Sequence, residues 1–546
     1  MKKRMLFLLM ITITLSMALV ACSSGDDAGS ESKVLRVAEK QDIPTMDPIM
    51  TEDNISTQWI DNVYEGLYRQ APNGEIVSGI AKMDETEVSE DGLTYTFHLR
   101  DANWENGDPI TAHDFVYAWQ RATDPDSGSF YGNYLMSGKI KNSKEIFDGE
   151  MEPEDLAVSA PDDHTFVVEL ETPVAYFDSY VTNSTFLPVH QEFVEEQGDN
   201  FSLSPDAILA NGPFKMTEWK TEDGWKVVKN EDYWDADNVA LDEINVKVIK
   251  DNDTRLSNYE AGNLDRVTLA GAQVKDNQTS PDYTSLSEAS TFYLKLNEEP
   301  LNGSDYMKNV NFRKAIAKGF DKQAYIDVAY GNDSVPVDEF VPRDFEEHPE
   351  TGEDFQVGND TLSYDVEAAQ EYWEKAKEEL GFDTVTLTFL SGDDETAKSV
   401  SEVMKTELEK NLDGLTLDTK NVPWSQQLDL QREDDFDIAA SGWGPDYKDA
   451  ISFLDIWVTD GENNDVNYSN EEYDKLIASV KGELANKPVE RFEAMQEAEK
   501  ILLEDAAIAP IMQRKTSVLI KNYVKGFDHF NPYGNNYSYK YVDIEK

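Results

Sequence analysis

The stretch YTFHLRDANWENGDPITAHDFVYAWQRATDP, residues 95–125, encodes a strand, a turn and a helix in immediate succession. Residues 94–100, TYTFHLR, alternate polar and apolar side chains, as a half-buried strand does. The turn that follows contains Asn106 and Gly107, and Thr111 then stands where a helix N-cap is favoured. The predicted helix places three apolar residues on one face: Phe115, Ala118 and Trp119. A strand followed directly by an amphipathic helix favours a mixed α/β fold.

The same alternation of strands and helices continues along the chain. Residues 211–230, NGPFKMTEWKTEDGWKVVKN, form two strand-like runs about Asp223 and Gly224, which predicts a hairpin. Three amphipathic helices are predicted over residues 311–331, 365–382 and 395–412. The second of them ends at Gly381, a residue type favoured just after a helix. This spacing predicts α/β domains whose sheets are at least partly parallel.

The size and charge of the chain limit its organisation and its partners. Its 546 residues, 40% of them hydrophobic, are enough for two or three domains with cores of their own. With 108 acidic and 48 basic residues, the formal net charge is −60, which would repel the phosphates of nucleic acids. The acidic residues are spread along the whole chain, so a solvated acidic surface explains them better than a dedicated cation-binding tail. Nucleic acid is therefore not an expected partner.

The N-terminal residues are typical of an export signal. Three basic residues follow Met1, and the apolar run of residues 5–20 is short for a membrane span. The run ends in LVAC, which is similar to the lipobox of bacterial lipoproteins, whose cysteine is lipidated and becomes the new N-terminus. We predict a signal peptide over residues 1–21, a membrane lipid anchor on Cys22 and a flexible tether over residues 22–33. The alternative is an ordinary secretory signal with an incidental cysteine.

Sequence signatures of common enzymes are missing. The chain has no G-x-S-x-G, H-E-x-x-H or G-x-x-x-x-G-K-[ST] motif, and Cys22 is its only cysteine. The histidines are scattered singly, which favours structural or surface roles for all of them: His98, His113, His164, His190, His348 and His529. In so acidic a chain, carboxylate spacing does not distinguish a two-acid hydrolase from chance. We predict no catalytic residues, no metal site and no cofactor.

One acid stands in an unusual turn. In SGWGPDYKDAISFLDIW, residues 441–457, Asp446 lies among Gly, Pro and aromatic residues. The turn offers this acid no nucleophile or base, so one interpretation is that it presents a carboxylate to a ligand. The other is a helix N-cap ahead of DAISFLDIW, and core packing is the corresponding alternative for Trp443 and Tyr131. Sequence chemistry alone favours the N-cap.

Residues 95–125 resemble the signature of extracellular solute-binding proteins of family 5. Members of that family have a strand, a W-x-[DN]-G-x-P-[ILV]-T-A turn and a D-F-V-Y-[AS]-W-[QE]-R helix. Further similar segments follow in the family's order: residues 46–48, 62–68, 211–219, 230–235, 259–265, 311–322 and 442–447. The resemblance covers residues 34–546. Within the family, SFY at residues 129–131 and the GWGPDY turn are most similar to oligopeptide-binding receptors that supply peptide-importing ABC transporters.

The resemblance implies an α/β, two-lobed periplasmic-binding-protein-like fold with a hinge and an additional α/β domain. The ligand would lie in the cleft between the lobes. The implied boundaries are residues 34–64, 190–292 and 514–546 for lobe I, 65–189 for the additional domain and 293–513 for lobe II. Hinges are expected near residues 292–296 and 512–515. Closure about a hinge surrounds a flexible ligand while only a few backbone angles change.

The resemblance also implies ligand contacts. In related receptors an Asp at the place of Asp446 pairs with the free α-amino group of a peptide, whose extended backbone is bound as an added strand. Trp443 and the glycines beside it would shape the floor of the cleft, and Tyr131 would reach across from the additional domain. The implied peptide contacts are Tyr131, Gly442, Trp443, Gly444, Asp446 and Tyr447.

This chain departs from its relatives at the other end of the ligand. Some relatives hold the ligand C-terminus with an arginine where this chain has Ala440 or Ser441, and with a histidine that SGDDETAKS, residues 391–399, lacks. Lys295 and Arg432 are candidate cationic contacts in their place. A cleft without a fixed C-terminal anchor should accept longer peptides.

The function implied by the resemblance is a monomeric, non-catalytic receptor, lipid-anchored on the extracytoplasmic face of the cell membrane. It would bind oligopeptides and deliver them to the permease subunits of an ABC transporter. The same fold also carries other solutes, and a dipeptide, nickel chelate, haem, sugar or signalling peptide is the first alternative. A lipid-anchored hydrolase is the second, although it would need a nucleophile or metal site that the motifs do not supply.

Overall fold

Five ranges of the chain, 32–72, 74–356, 358–461, 463–527 and 538–546, are described by the computed structural model. Cys22, the predicted signal peptide and His529 lie outside these ranges. In the described ranges, no helix is both long enough and apolar enough to cross a membrane.

The strands and helices of the body alternate along the chain. The strands are β1 Val34–Glu39, β2 Tyr68–Gln70, β3 Ile76–Ser78, β4 Glu87–Val88, β5 Thr94–His98, β6 Val158–Asp162, β7 Thr165–Glu169, β8 Phe214–Lys220, β9 Gly224–Lys229, β10 Glu243–Val248, β11 Arg266–Thr268, β12 Tyr283–Leu296, β13 Val335–Pro336, β14 Val385–Gly392, β15 Leu415–Val422, β16 Ile438–Trp443, β17 Ile508–Ile520, β18 Val524–Lys525 and β19 Asp543–Ile544. The α-helices are α1 Asn54–Val63, α2 Ala112–Thr123, α3 Phe130–Met136, α4 Ser143–Phe147, α5 Phe177–Tyr180, α6 Gln191–Gln197, α7 Asn252–Glu260, α8 Ala272–Asn277, α9 Val310–Lys318, α10 Lys322–Tyr325, α11 Val366–Leu380, α12 Glu395–Asn411, α13 Trp424–Arg432, α14 Ile451–Leu454, α15 Glu471–Lys481 and α16 Pro488–Glu504.

The strand, turn and helix predicted over residues 95–125 are confirmed as β5 and α2. Asp114 accepts a hydrogen bond from the backbone N–H of Thr111 at 2.7 Å, which satisfies one of the free donors at the helix start. Phe115 and Trp119 are fully buried, and the Trp119 indole N–H donates to the carbonyl of Phe186 at 3.0 Å. This helix therefore packs its predicted apolar face into the core of its sheet.

Three larger sheets organise the described residues. The first has the order β1-β10-β9-β8, with β1 and β10 parallel, and the second is the antiparallel sheet β4-β5-β7-β6. The third has the order β11-β17-β12-β16-β14-β15, in which β14 is parallel to both β15 and β16. Mixed sheets with helices packed on them confirm the predicted α/β class.

The third sheet is built around two long strands, β12 and β17, which pair along most of their length. The antiparallel register of the two strands shifts between Ser287 and Thr291, and again between Phe292 and Tyr293. Such bulges bend a strand and re-aim its side chains. Beyond the second shift, the helices α9, α11 and α12 enclose a core cluster with strands β14 and β15.

Several local predictions are confirmed, and one is wrong. The hairpin about Asp223 and Gly224 is formed by β8 and β9, and Gly381 ends α11 in a left-handed conformation, with φ of 73°. The single helix predicted over residues 311–331 is instead two helices, α9 and α10. The first helix ends at Lys318. Asp321 caps the start of the second helix by accepting hydrogen bonds from Gln323 N at 2.9 Å and Ala324 N at 3.1 Å.

Candidate functional site

A cavity of about 810 Å³ opens where strands β12, β16 and β17 meet the end of β1 and the start of α1. Residues of the 441–446 turn line it, together with side chains from distant parts of the chain such as Lys40, Tyr131 and Arg514. Its volume is that of a site for a small organic ligand or a short peptide.

The turn that follows β16 forms one wall. Trp443 lies opposite Thr291 in the register with β12, and its indole N–H donates to the Ser452 carbonyl at 2.8 Å. A Cβ atom on Gly442 would come within 3.1 Å of the Phe292 ring, so the ring packs closely on the backbone at this glycine. At Gly444 the nearest atom would be 3.8 Å away, which leaves the backbone accessible from the cavity.

Asp446 lines the cavity and does not cap a helix. Helix α14 begins at Ile451, and the backbone N–H of Ile451 donates a hydrogen bond to the Asp449 carboxylate at 3.0 Å, not to Asp446. The backbone N–H of Asp446 donates to the Ser452 hydroxyl oxygen at 3.2 Å, which fixes the turn. The side chain is left to face the cavity.

The environment of Asp446 disfavours its charge. Burial, and then the neighbouring Asp455, raise the pKa of this carboxyl group to about 7, while Lys139 and a hydrogen bond with Tyr134 act in the opposite direction. Asp446 in turn raises the pKa of the Tyr131 hydroxyl, more than burial does. A cation that entered the cavity here would be stabilised by the carboxylate, and would in turn stabilise its ionised form.

Tyr131 belongs to the short helix α3. The helix is fixed at its start by Ser129, whose hydroxyl group accepts a hydrogen bond from Gly132 N at 3.0 Å and donates to the Ile49 carbonyl at 2.6 Å. The Tyr131 ring packs edge-on against Tyr134 at 6.0 Å. Tyr131 and Asp446, which lie far apart in sequence, thus line the same cavity.

Three of the candidate contacts do not line this cavity. Tyr447 is buried and stacks on Tyr176. Lys295 is buried too, and its ammonium group donates to Asp465 and to Gln431. Arg432 is exposed at the end of α13, 3.7 Å from Asp429. Lys295 lies three residues after Phe292, which lines the cavity, so strand alternation turns it to the opposite face of the sheet.

Four cations of the cavity lining were not predicted from the sequence. They are Lys40, Arg255, Arg266 and Arg514. No motif links them, because they come from four separate segments of the chain. The signal for Arg514 was its place within the predicted hinge at residues 512–515. In the described ranges, no cluster of three metal-ligating side chains accompanies them.

An α/β body with a charged, ligand-sized cavity beside two long paired strands, β12 and β17, is the architecture of a cleft-type binding protein. Residues 75–465 match the model of bacterial extracellular solute-binding proteins, family 5 (middle region). The chain belongs to this family.

Curated relatives and solved structures agree with that assignment. The dipeptide-binding protein DppE of Bacillus subtilis is 32% identical, over 94% of this chain and 95% of its own. The oligopeptide-binding protein OppA of the same organism is 32% identical, over 94% of each chain. The structure of Listeria monocytogenes OppA bound to peptide is similar at a TM-score of 0.81 and 40% identity, covering 95% of this chain and all of that one.

Proposed function

We propose that this protein is an extracytoplasmic receptor that binds oligopeptides in the cavity and passes them to the membrane subunits of an ABC importer. In this proposal it acts as a monomer and catalyses no reaction. The names of its relatives, which include dipeptide- and oligopeptide-binding proteins, support a peptide ligand. The observation that carries the proposal is the place of Asp446, whose carboxylate lines a ligand-sized cavity. The pKa of this carboxyl group is raised to about 7.

The α-amino group of a peptide is the cation that suits this carboxylate. Its pKa is about 7.7–8.0 in free peptides, so it is mostly protonated at neutral pH. An ammonium group that enters the cavity loses hydration, and pairing with Asp446 offsets that loss. Removal of the carboxylate should cost about 2–5 kcal/mol of binding free energy, because the buried amine is left unpaired. Tyr131, Trp443 and the backbone at Gly442 and Gly444 would enclose the first residues of the peptide.

Calorimetry with tetra-alanine and its N-acetylated form tests this assignment. We expect the parent protein to bind the free peptide much more tightly, and Asp446→Asn to weaken the free peptide by about 30-fold or more. The matched control is Asp413→Asn, which changes a fully exposed carboxylate outside the cavity. Equal affinity of the parent protein for the free and acetylated peptides would overturn the pairing with Asp446.

The lobes and hinges are part of the same proposal, with the boundaries predicted above. We place the hinges at residues 292–296 and 512–515, within β12 and β17. The support is the irregular pairing in this region, where Phe292 lies opposite Met512 and Tyr293 opposite Pro510. Pro510 has no N–H to donate, which weakens the ladder at the point where the strands must bend. Small-angle scattering with and without tetra-alanine should show a smaller radius of gyration for the complex.

The lipid anchor on Cys22 also belongs to the proposal, and its support is the LVAC sequence alone. We expect Cys22→Ser to move the protein from the membrane fraction to the soluble fraction with peptide affinity unchanged, because the cavity lies far along the chain from this residue. Fractionation of cells that express each form, followed by calorimetry on the released protein, is the measurement. Retention of the variant in the membrane fraction would require another anchor.

A further inference from the structure

A second group of charged side chains lines the cavity apart from Asp446. It consists of Lys40, Arg255, Arg266 and Arg514, which we call the cationic end. The charges that act on Lys40 are those of Arg255, Arg514, Asp394 and Glu39. None of these acts on Asp446, whose charged neighbours are Asp455 and Lys139. The cavity is therefore bipolar, with an acid in one part and a cluster of cations in another.

Two of the cations are fixed by the protein around them. Arg255, on α7, is buried, and its guanidinium group donates to the Ile249 carbonyl at 3.0 Å and to the Asn252 side chain. Arg266, on β11, is buried too, with its guanidinium carbon 5.4 Å from the centre of the Phe527 ring. These two groups contribute fixed positive charge to the cavity wall.

Lys40 and Arg514 are accessible from the cavity. Lys40 follows the end of β1, and no carboxylate of the described residues lies within 4 Å of its ammonium group. Partial desolvation by the surrounding protein, together with Arg255 and Arg514, lowers its pKa. Arg514 lies opposite the β12 bulge, with its side chain 44% exposed and its Nε 3.4 Å from Glu288. A bound anion would relieve the mutual repulsion of these cations.

Three carboxylates of the cavity lining face the cationic end. They are Glu39 and Asp394, which act on Lys40, and Glu288, which lies 3.4 Å from Arg514. Asp394 accepts a hydrogen bond from Ala397 N at 3.0 Å as the N-cap of α12, and Glu288 accepts from the Thr516 hydroxyl group. Glu39 interacts electrostatically with Arg255 and Arg266, and its pKa is raised by burial. The convergence of four cations on one part of the cavity, in a chain of charge −60, points to an anionic ligand group.

We propose that the cationic end binds a carboxylate of the ligand, with Lys40 and Arg514 in direct contact and Arg255 and Arg266 reinforcing the positive potential. This inference rests on the proposed function, which makes the ligand a peptide with its amino group at Asp446. The carboxylate is either the C-terminus of the peptide or an Asp or Glu side chain. The cleft would then select peptides by an acidic group as well as by the free amine.

Calorimetry with four series of peptides tests the inference and separates the two sources. The first comparison uses alanine peptides of three to six residues with a free C-terminal carboxylate or a C-terminal amide. The second uses C-terminally amidated alanine peptides that carry one Glu or one Gln at each internal position in turn. The variants are Lys40→Gln/Arg514→Gln and, as a matched control, Lys250→Gln/Arg343→Gln, which changes exposed cations outside the cavity.

We expect the parent protein to prefer the carboxylate in at least one comparison by about tenfold or more, since hydrogen bonds to charged groups are the strong ones. Preference in the first comparison identifies the C-terminus, and preference in the second identifies a side chain. Lys40→Gln/Arg514→Gln should lose most of that preference yet bind the amidated alanine peptides as the parent does, which also shows that it is folded. The control pair should keep the preference.

Two other outcomes have distinct meanings. If the parent protein binds carboxylate and amide, and Glu and Gln, equally at every length and position, the cationic end does not recognise a carboxylate and the inference is overturned. If no peptide with a free amino group binds at all, the proposed function fails and this inference fails with it.

Discussion

The rings of Tyr447 and Tyr176 stack with their centres 4.3 Å apart and their planes at 5°. Tyr447 follows Asp446 directly in the turn. Tyr176 lies between β7, a strand of the antiparallel sheet, and helix α5. The contact is reinforced by the backbone N–H of Lys448, which donates to the Ser179 hydroxyl oxygen at 3.2 Å. Arg491 lies 5.7 Å from the Tyr176 ring and pairs with Asp449. The position of the Asp446 carboxylate thus depends on packing outside the cavity.

Replacement of the buried ring should therefore impair both stability and binding. We expect Tyr447→Ala to lower the free energy of unfolding by about 3 kcal/mol or more, because it leaves a cavity in a close-packed aromatic cluster. Peptide affinity should fall as well, since the turn loses its support. Tyr447→Phe retains the stacking and should change both quantities by only about 1 kcal/mol. Urea denaturation and calorimetry measure the two effects, and unchanged peptide affinity in Tyr447→Ala would contradict the supporting role.

Peptide affinity should depend on pH through Asp446. The pKa of the Asp446 carboxyl group is about 7, so this group is mostly protonated below pH 7. It must then lose a proton before it can pair with an ammonium group. Affinity should fall as pH drops from 7 to 5.5, by up to about tenfold per unit, and again above about pH 8 as the peptide amine loses its proton. Asp446→Asn should remove the decline on the acid side. Titrations in buffers of different ionisation enthalpy would report the released proton, and a flat profile between pH 5.5 and 7 in the parent protein would contradict this assignment.

Another buried acid makes stability depend on pH. Glu499, on α16, accepts hydrogen bonds from Phe340 N at 2.9 Å and Val341 N at 2.7 Å, yet burial raises its pKa to about 7. Between its ordinary pKa of 4.5 and this value, the folded protein binds more protons than the unfolded chain. The free energy of unfolding should therefore fall as pH rises through this window, by up to about 3 kcal/mol from this group.

Urea denaturation at pH 5 and pH 8 measures this effect. Glu499→Gln should show a smaller difference between the two pH values than the parent protein. The difference should not vanish, because the pKa of Glu346 is also raised, to about 8, and contributes with the same sign. Glu497→Gln, which changes a half-exposed acid on the same helix, should behave as the parent does. An unaltered pH dependence in Glu499→Gln would show that this residue is not a source.

Local structure could be predicted where its causes are local. The alternation in β5, the start of α2 at Thr111 and the end of α11 at Gly381 are each determined by a few neighbouring residues. The prediction of a single helix over residues 311–331 is wrong because the hydrophobic periodicity continues across residues 319–321, where the first helix has ended. Asp321 stabilises a new helix start there, and its N-cap chemistry outweighs the period.

The cavity could be predicted only in part, because its residues converge through tertiary structure. Asp446 and Tyr131 came from the family resemblance, not from periodicity or spacing. Lys40 and Arg514 could not be paired from sequence, since Lys40 follows β1 and Arg514 lies on β17, strands of different sheets, and the two converge only at the cavity. Whether Lys295 faces the cavity depends on which face of β12 is turned to it, and sequence alone does not fix that.

The overall charge of the chain should affect how fast peptides arrive, separately from how tightly they are held. A protein of net charge −60 should attract a cationic peptide such as Ala-Lys-Lys-Ala faster than Ala-Glu-Glu-Ala at low salt. The Debye length falls from about 30 Å at 0.01 M salt to about 3 Å at 1 M, so this difference in association rate should nearly disappear at high salt.

Stopped-flow measurements of both peptides at about 0.01 M and about 1 M salt give the two rates. The equilibrium preference for a carboxylate that we infer for Lys40 and Arg514 should survive better at high salt, because charges enclosed by protein are screened less than exposed ones. Salt should thus change the association rates strongly and the carboxylate preference weakly. A ratio of association rates that stays the same at both salt concentrations would show that the entry of peptides is governed by charges at the cavity and not by the field of the whole protein.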